Sequence, residues 1–354
     1  MTERPGDRFL RACRRQAVDA TPVWFMRQAG RSLPEYRAIR ERARLIDIVG
    51  DAALCAEVTL QPVHRLGVDA AIVFADITTP LPGIGVPVEF VESVGPVIDP
   101  PIRTAHDVGR LRPFDAEASV RPLLDAIRIL RAESPVPVIG FAGAPFTLAA
   151  YLVEGRSPRD LERTKTLMHA EPSTFGALLE HLVDLDLAYL GGQVAAGAQA
   201  IQVFDSWVGA LSPFDYRAAV LPHVRRLFNG LAALGVPTIH FGTGTGGLLE
   251  AMSEGGGDVI GLDWRVGLAD AWDRLPGHAV QGNLDPALLL GPWEAAAEQA
   301  EWVLDQAGGR PGHIFNLGHG VLPATNPDDL RRLVDLVHDR TAVAAAAAGS
   351  GAGR

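Results

Sequence analysis

Arginine side chains follow the first apolar run of this 354-residue chain. Residues 22–26 (PVWFM) are apolar, and Arg27 comes directly after them, with Arg31 and Arg40 shortly behind. Guanidinium groups that leave one strand end can converge on a ligand that carries several carboxylates. Surface ion pairs with the neighbouring glutamates are the alternative interpretation.

An aspartate ends a second apolar run. Residues 70–75 (AAIVFA) lead directly to Asp76. A carboxylate in this position is partly desolvated, so it can accept hydrogen bonds from N–H groups and stabilise positive charge that develops on a ligand. A helix cap or an ion pair with a core arginine is the alternative.

Two further segments carry side chains suited to a ligand. Residues 140–148 combine small residues with Phe141 and Phe146 and lead to Tyr151, so a bulky ligand could approach the backbone between flat apolar walls. His319 stands between two glycines and could act as an acid, a base or a donor to an anion. A tight turn with a packed aromatic ring, and a histidine bonded to a carbonyl, are the alternatives.

The elements that would position these residues alternate between short β-branched runs and longer helical segments. This alternation is typical of βα units around a parallel sheet. The eight predicted strands are residues 22–26, 70–74, 137–141, 200–204, 237–241, 259–262, 279–281 and 313–316. The predicted helices include residues 51–66, 120–133, 173–195, 214–234, 292–306 and 327–340.

Eight such units predict an α/β fold made of one (β/α)8 TIM barrel. The barrel takes up residues 1–340, with an N-terminal extension before the first strand and a long Pro- and Gly-rich excursion over residues 77–120. Residues 341–354 are Ala-, Gly- and Ser-rich and are predicted to be a disordered tail. In a barrel the loops at the carboxyl ends of the strands build the active site, and the residues singled out above follow predicted strands.

Composition excludes several classes of protein. A net charge of −10 argues against nucleic-acid binding, although the first 44 residues contain eleven Arg and five acidic residues. Lys165 is the only lysine, which disfavours Schiff-base and pyridoxal-phosphate chemistry. Cys13 and Cys55 are too few for a disulfide framework and lack the spacing of zinc ligands. With no apolar run of about 20 residues and no secretory leader pattern, we expect a cytoplasmic protein without a membrane partner.

A glycine-rich segment raises a competing interpretation. Residues 242–247 (GTGTGG) fit the dinucleotide-binding pattern, and Asp263 follows about 20 residues later. The helix after the glycines would be short, at about residues 248–253. A βα loop that makes room for a ligand is therefore the preferred interpretation.

Two longer segments resemble the signature segments of the uroporphyrinogen decarboxylase family. They are residues 22–31 (PVWFMRQAGR) and residues 140–151 (GFAGAPFTLAAY), and the similarity continues through residues 74–76, 204–207 and 316–320. The resemblance covers the chain apart from its C-terminal tail. It implies a homodimeric (β/α)8 carboxy-lyase that uses no cofactor or metal. Such an enzyme removes the four acetate carboxyl groups of uroporphyrinogen III to give coproporphyrinogen III in haem biosynthesis.

The resemblance also implies roles for individual residues. The positions that it assigns to substrate binding are Arg27, Arg31, Arg40, Asp76, Phe141, Tyr151, Phe204, Ser206 and His319. Among these the arginines would hold carboxylates, Asp76 would receive the pyrrole N–H groups, and the last two with Tyr151 would contact carboxylates at the rim. We expect Asp76 and Arg27 to be the catalytic residues, with Arg27 nearest the reacting acetate.

Two other functions remain open at this point. A barrel methyltransferase would require a His-x-Cys motif and a distant cysteine for zinc, which neither Cys13 nor Cys55 supplies. A porphyrin carrier without enzymatic activity is the other. An assay for hepta- to tetracarboxylic products of uroporphyrinogen distinguishes all three.

Overall fold

A parallel sheet runs through the computed structural model, which describes residues 7–91, 94–158 and 160–343. Within these residues the strands are β1 Ala71–Ile72, β2 Glu89–Val91, β3 Gly95–Val97, β4 Val138–Gly143, β5 Ala200–Asp205, β6 Thr238–Gly242, β7 Val259–Gly261, β8 Ala279–Gln281 and β9 His313–Ile314. Seven of them form one sheet in the order β1-β4-β5-β6-β7-β8-β9, and each neighbouring pair is parallel. The remaining two, β2 and β3, form an antiparallel hairpin inside the predicted excursion over residues 77–120.

Helices connect and cover the strands. Their bounds are α1 Arg8–Cys13, α2 Pro34–Arg40, α3 Leu45–Val49, α4 Ala52–Leu66, α5 Ala105–Val108, α6 Ala116–Ser119, α7 Arg121–Glu133, α8 Pro145–Glu154, α9 Glu162–Ala170, α10 Pro172–Ala196, α11 Pro213–Asp215, α12 Leu221–Ala232, α13 Leu249–Gly255, α14 Leu268–Asp273, α15 Trp293–Ala307 and α16 Pro327–Thr341. In the described part of the chain, no helix is both long and apolar enough to span a membrane.

The long helices confirm the sequence prediction with one correction. Five of the six predicted helices agree to within two residues at each end. The predicted helix over residues 214–234 instead begins as α11 and a π-helical turn, Tyr216–Val220, before α12. Pro222 lies at the start of α12 and has no N–H to donate, so a continuous α-helical ladder cannot pass through it.

The sheet is curled, and a buried chain of hydrogen bonds crosses its concave side. The Trp24 indole N–H donates to Gln281 of β8 over 3.0 Å, and the Gln281 amide donates to Gln202 of β5 over 3.1 Å. Two strands lie between β5 and β8 in the sheet order. Side chains of such distant strands can meet only if the sheet bends round to bring them together.

Residues 22–26 are not a strand, which corrects the prediction of eight strands. Val23 forms a single parallel bridge with Phe315, and its carbonyl accepts a hydrogen bond from the Asp69 N–H just before β1. The Trp24 N–H donates to the neighbouring Phe315 carbonyl over 3.4 Å, but the N–H groups of Phe25 and Met26 donate to the side chains of Gln28 and Asn316. These bonds still connect the segment to both edges of the seven-stranded sheet.

The C-terminal part of the chain packs beside this segment. The Thr21 N–H donates to the Thr341 hydroxyl over 2.9 Å, and the Val343 N–H donates to the Asp19 carbonyl over 2.8 Å. Helix α16 thus includes Thr341, the first residue of the predicted tail. Within that tail, residues 344–354 lie outside the described residues.

A buried carboxylate joins the first and last helices at the amino-terminal end of the sheet. Asp69 accepts hydrogen bonds from Arg8 of α1 over 3.0 Å and from the Val23 N–H over 2.7 Å. His338 of α16 lies 2.7 Å from the same carboxylate. The Asp69 side chain is only 8% exposed, so its charge depends on these partners.

We predict that Asp69→Asn lowers the free energy of unfolding by about 2 kcal/mol, because Arg8 and His338 lose a charged partner that is shielded from water. Urea denaturation followed by circular dichroism measures the change. Asp335→Asn is the matched control, since its carboxylate pairs with Arg331 on the exposed face of α16 and should change stability by about 0.5 kcal/mol or less. Equal effects of the two substitutions would contradict the role of Asp69.

Candidate active site

The loop after residues 22–26 holds two arginines in an unfavourable backbone conformation. Arg27 has φ 61° and Arg31 has φ 70°, in the left-handed region that costs a non-glycine residue about 1 kcal/mol. The buried side chain of Gln28 fixes the turn, because it accepts from the Phe25 N–H and donates to the Ala70 carbonyl. Strain of this kind persists only where the surrounding structure enforces it, which is common at functional sites.

These two arginines carry positive charge without a local counter-charge. Among the described residues, no carboxylate lies within salt-bridge distance of either guanidinium, and both side chains belong to exposed residues. Partial burial and the nearby Arg27 charge together lower the pKa of Arg31. The loop is therefore electrostatically complementary to an anion.

His319 lies between this loop and the loop that follows β7. On one side, a side chain at Gly320 would put its Cβ 2.6 Å from Cδ of Arg27. On the other side, a Cβ at Gly318 would overlap the backbone of Asp263 and Trp264. The two glycines beside His319 thus allow both loops to approach it closely.

The histidine is held as a neutral hydrogen-bond donor. Its Nδ1 accepts the Gly320 N–H over 2.7 Å, so the proton of the neutral ring lies on Nε2. Burial and the charges of Arg27, Arg31 and Arg265 together lower the pKa of His319 to about 4, although the Asp263 charge opposes this shift. Nε2–H can therefore donate to a carboxylate at neutral pH.

Asp76 follows β1 and presents one occupied and one open oxygen. Oδ1 accepts from the Thr78 N–H over 2.9 Å and from the Thr78 hydroxyl over 2.6 Å, while the Asp76 N–H donates to the Thr79 hydroxyl over 3.1 Å. In the described structure no hydrogen bond reaches Oδ2. The carboxylate is half-buried and fixed in orientation, with one oxygen available to N–H donors of a ligand.

The Tyr151 hydroxyl lies close enough to both Asp76 and Arg27 for their charges to affect its pKa. Burial raises the pKa of the Tyr151 hydroxyl, the Asp76 charge raises it further, and the Arg27 charge opposes this. The Tyr151 ring, on α8, also packs against Trp207 with centroids 6.3 Å apart. Trp207 follows Ser206 directly after β5, so the half-buried Ser206 lies at the same end of the sheet.

Aromatic rings near the carboxyl ends of three adjacent strands form an apolar surface. Phe141 of β4 and Phe204 of β5 have centroids 5.5 Å apart, and Phe204 and Phe241 of β6 have centroids 6.0 Å apart. Both pairs meet edge to face. Phe141 and Phe241 are buried and Phe204 is partly exposed, so Phe204 offers the apolar contact to a flat or bowl-shaped ligand.

Two residues that the sequence analysis singled out, Arg40 and Phe146, and the aspartate beside Ser206 lie elsewhere or at the edge. Arg40, at the end of α2, donates to the Ala43 carbonyl; burial raises the pKa of Tyr36, and the charges of Arg40 and Arg31 oppose this shift. Phe146 is fully buried against Phe175 of α10, so it lines the core rather than a ligand wall. Asp205 is also fully buried and accepts from the Thr147 hydroxyl, because alternate residues of a strand face opposite sides.

The glycine-rich loop after β6 is occupied by a protein carboxylate. The Gly244 N–H, where a dinucleotide phosphate would bind, donates to Oδ2 of Asp263 over 2.5 Å. Helix α13 after the loop has seven residues. The loop and Asp263 therefore bind each other, which argues against the dinucleotide-binding interpretation of this segment.

Sequence reasoning overlooked Arg265, whose charge acts on His319 together with those of Arg27 and Arg31. The other residues were found by looking for polar side chains directly after each predicted strand. After the strand over residues 259–262 this search reached Asp263, two residues before Arg265.

The described residues include no group of three or more His, Cys, Asp or Glu side chains that could hold a metal ion. Cys13 and Cys55 are both buried free thiols.

Fold and site together define an α/β scaffold in which the loops at the carboxyl ends of the parallel strands form a cationic mouth around Arg27, Arg31, Asp76 and His319. A family model for uroporphyrinogen decarboxylase matches residues 4–340. The uroporphyrinogen decarboxylase of Sorangium cellulosum is 54% identical over 335 residues, covering 94% of this chain and 96% of that protein. That of Thermus thermophilus is 53% identical over 334 residues, covering 94% and 98%. The chain belongs to the uroporphyrinogen decarboxylase family.

Solved structures with a similar fold include enzymes that are named for other reactions. A methyltransferase from Methanosarcina mazei has a TM-score of 0.76 at 18% identity and covers 95% of this chain and 98% of that one. A B12-independent methionine synthase from Shewanella has a TM-score of 0.59 at 13% identity and covers 84% and 90%. At these identities the similarity concerns the fold alone.

We predict that His319 titrates near pH 4 in the free protein, because burial and the nearby arginines disfavour its charged form. An unfolded histidine titrates near pH 6.5, so this site makes the folded state less stable as the pH falls from about 6.5 to about 4. NMR of ¹⁵N-histidine-labelled protein measures the midpoint, and the spectrum of His319→Asn assigns the signal. A midpoint at or above 6.5 would contradict the description of the site.

Proposed function

We propose that this chain catalyses the decarboxylation of uroporphyrinogen, a carboxy-lyase reaction of porphyrin and haem biosynthesis, at the mouth described above. Family membership supports the reaction. One observation supports the location of the reaction: arginines without a counter-charge and an oriented carboxylate lie at the same end of the sheet. The substrate has the complementary pattern, with carboxylates at its periphery and pyrrole N–H donors at its centre.

Binding follows from this complementarity. Arg27 and Arg31 hold carboxylates of the substrate, and the Nε2–H of His319 donates to another at the rim. The open Oδ2 of Asp76 accepts pyrrole N–H groups at the centre of the macrocycle, and the ring edges rest on Phe141 and Phe204. Three residues extend the rim contacts: Arg40, Tyr151 and Ser206.

The chemistry requires a place for the electrons of the bond that breaks. Protonation of the pyrrole that bears the acetate gives an iminium-like cation, and the electrons of the bond to the carboxylate flow into it as carbon dioxide leaves. A proton then adds to the exocyclic methylene, and the ring loses the first proton, so each acetate carboxylate is replaced by one hydrogen. The substrate's own pyrrole is the electron sink, so the protein needs to supply protons, orientation and charge stabilisation.

Asp76 and Arg27 are the catalytic residues in this account. The carboxylate of Asp76 lies next to the pyrrole nitrogens, so it stabilises the cation that forms when the ring is protonated. Arg27, on the strained loop, holds the reacting acetate in place. This orients the bond that breaks relative to the pyrrole.

The finer architecture and setting of the protein are part of the proposal. Closure of the curled sheet into a (β/α)8 barrel by residues 22–26 is supported by their bonds to both sheet edges. A homodimer is expected from the family resemblance, and Phe214, 80% exposed beside a cavity of about 310 Å³, offers apolar surface for association. The free thiols Cys13 and Cys55 suit a cytoplasmic location.

We predict that the wild-type protein converts uroporphyrinogen III stepwise to coproporphyrinogen III under anaerobic, reducing conditions, and that Asp76→Asn lowers kcat/KM by about a hundredfold or more. The amide keeps the size of the side chain but removes the charge that stabilises the pyrrole cation. Chromatography of the hepta- to tetracarboxylic products measures turnover.

Asp125→Asn is the control for Asp76→Asn, because Asp125 pairs with Arg128 on the exposed face of α7 and should leave turnover unchanged. A wild-type protein that binds the substrate without releasing carbon dioxide would indicate a carrier. Near-normal turnover and unchanged substrate affinity in Asp76→Asn would refute the central role of this carboxylate.

A further inference from the structure

Arg265 is a cation at the mouth that is fixed in place by a buried carboxylate. Its backbone N–H donates to Oδ1 of Asp263 over 3.0 Å, and its Nη1 donates to Oδ2 over 2.5 Å. The side chain of Asp263 is 1% exposed, whereas that of Arg265 is 53% exposed. The carboxylate therefore lies beneath the guanidinium, and the guanidinium faces solvent.

The plane of this guanidinium is also fixed. Its central carbon lies 4.0 Å from the centroid of the Trp264 ring, which holds it by stacking. Within the described structure its hydrogen bonds use Nη1, so Nε–H and Nη2–H remain available. These two groups form the edge with which arginine binds a carboxylate through two parallel hydrogen bonds.

The loop that carries Arg265 is held in place on both sides. The Asn283 amide donates to the carbonyls of Asp263 and Val266 over 2.9 and 2.8 Å. Gly318 lies against the backbone of Asp263 and Trp264, which brings the loop beside His319. Since Gly320 lies against Arg27, His319 stands between the loop of Arg265 and the arginines of the first loop.

We propose that Arg265 binds a peripheral carboxylate of the substrate through its Nε and Nη2 edge, beside the carboxylate that His319 contacts. This inference rests on the proposed function and adds a specificity residue to it. A guanidinium that is already ordered loses little conformational entropy on binding. Arg265 thus favours substrates that carry a carboxylate at this side of the macrocycle, without taking part in the bond-breaking step.

The test compares Arg265→Gln and Arg265→Lys with a substitution of Arg310, a surface arginine that also pairs with an aspartate and stacks on a tryptophan ring. Arg310 pairs with Asp273 over 2.9 Å and lies 4.4 Å from the Trp272 centroid, but it precedes β9 and so lies at the opposite end of the sheet. Arg310→Gln therefore removes the same charge, stacking and ion pair away from the mouth. Steady-state kinetics with uroporphyrinogen III under anaerobic conditions give kcat and KM for each protein, and circular dichroism compares their thermal unfolding.

We expect Arg265→Gln to raise KM about tenfold, which corresponds to about 1.4 kcal/mol, while kcat stays within about twofold. Arg265→Lys should fall in between, because it keeps the charge but loses the two-bond geometry, and Arg310→Gln should match the wild type. An unchanged KM in Arg265→Gln, or a fall in kcat alone, would overturn the proposal. If the wild-type protein itself yields no decarboxylated product, the proposed function fails instead.

Discussion

Positive charge that the protein does not neutralise is the constraint on which the site depends. Arg27 and Arg31 have no carboxylate within salt-bridge distance in the described structure, and His319 stays neutral between them and Arg265. Mutual repulsion between Arg27 and Arg31 raises the energy of the empty site. A ligand with several carboxylates relieves that repulsion, so binding energy is available on the side of the mouth where the acetates must be held.

The two ends of the sheet use charge in opposite ways. At the amino-terminal end, the buried carboxylate of Asp69 is bonded to Arg8, His338 and a backbone N–H, so charge there connects the first and last helices. At the carboxyl-terminal end, the Oδ2 of Asp76 and the guanidiniums of the first loop remain open. Paired charges support the fold at one end of the sheet, and open charges remain available to a ligand at the end where loops after parallel strands build active sites.

Much of this arrangement could be predicted from the sequence. The strand ends at Asp76 and His319, the cationic loop at Arg27 and the long helices follow from periodicity and composition. The irregular first segment could not be predicted, because three of its backbone N–H groups donate to the side chains of Gln28, Asn316 and Asp69, which are distant or unpatterned in sequence. The buried position of Phe146 and the position of Arg265 beside His319 depend on how loops from different strands meet, which a single sequence does not specify.

The central claim is that one mouth holds the tetrapyrrole by its carboxylates and by its nitrogens at the same time. The most direct measurement is a crystal structure of the protein with coproporphyrinogen III bound under anaerobic conditions. The account predicts pyrrole nitrogens about 3 Å from Oδ2 of Asp76, propionate oxygens at hydrogen-bond distance from the Arg31 guanidinium, and a methyl group formed from an acetate beside Arg27. A macrocycle bound elsewhere, such as the groove beside Phe214, with Asp76 and both arginines unoccupied, would contradict it.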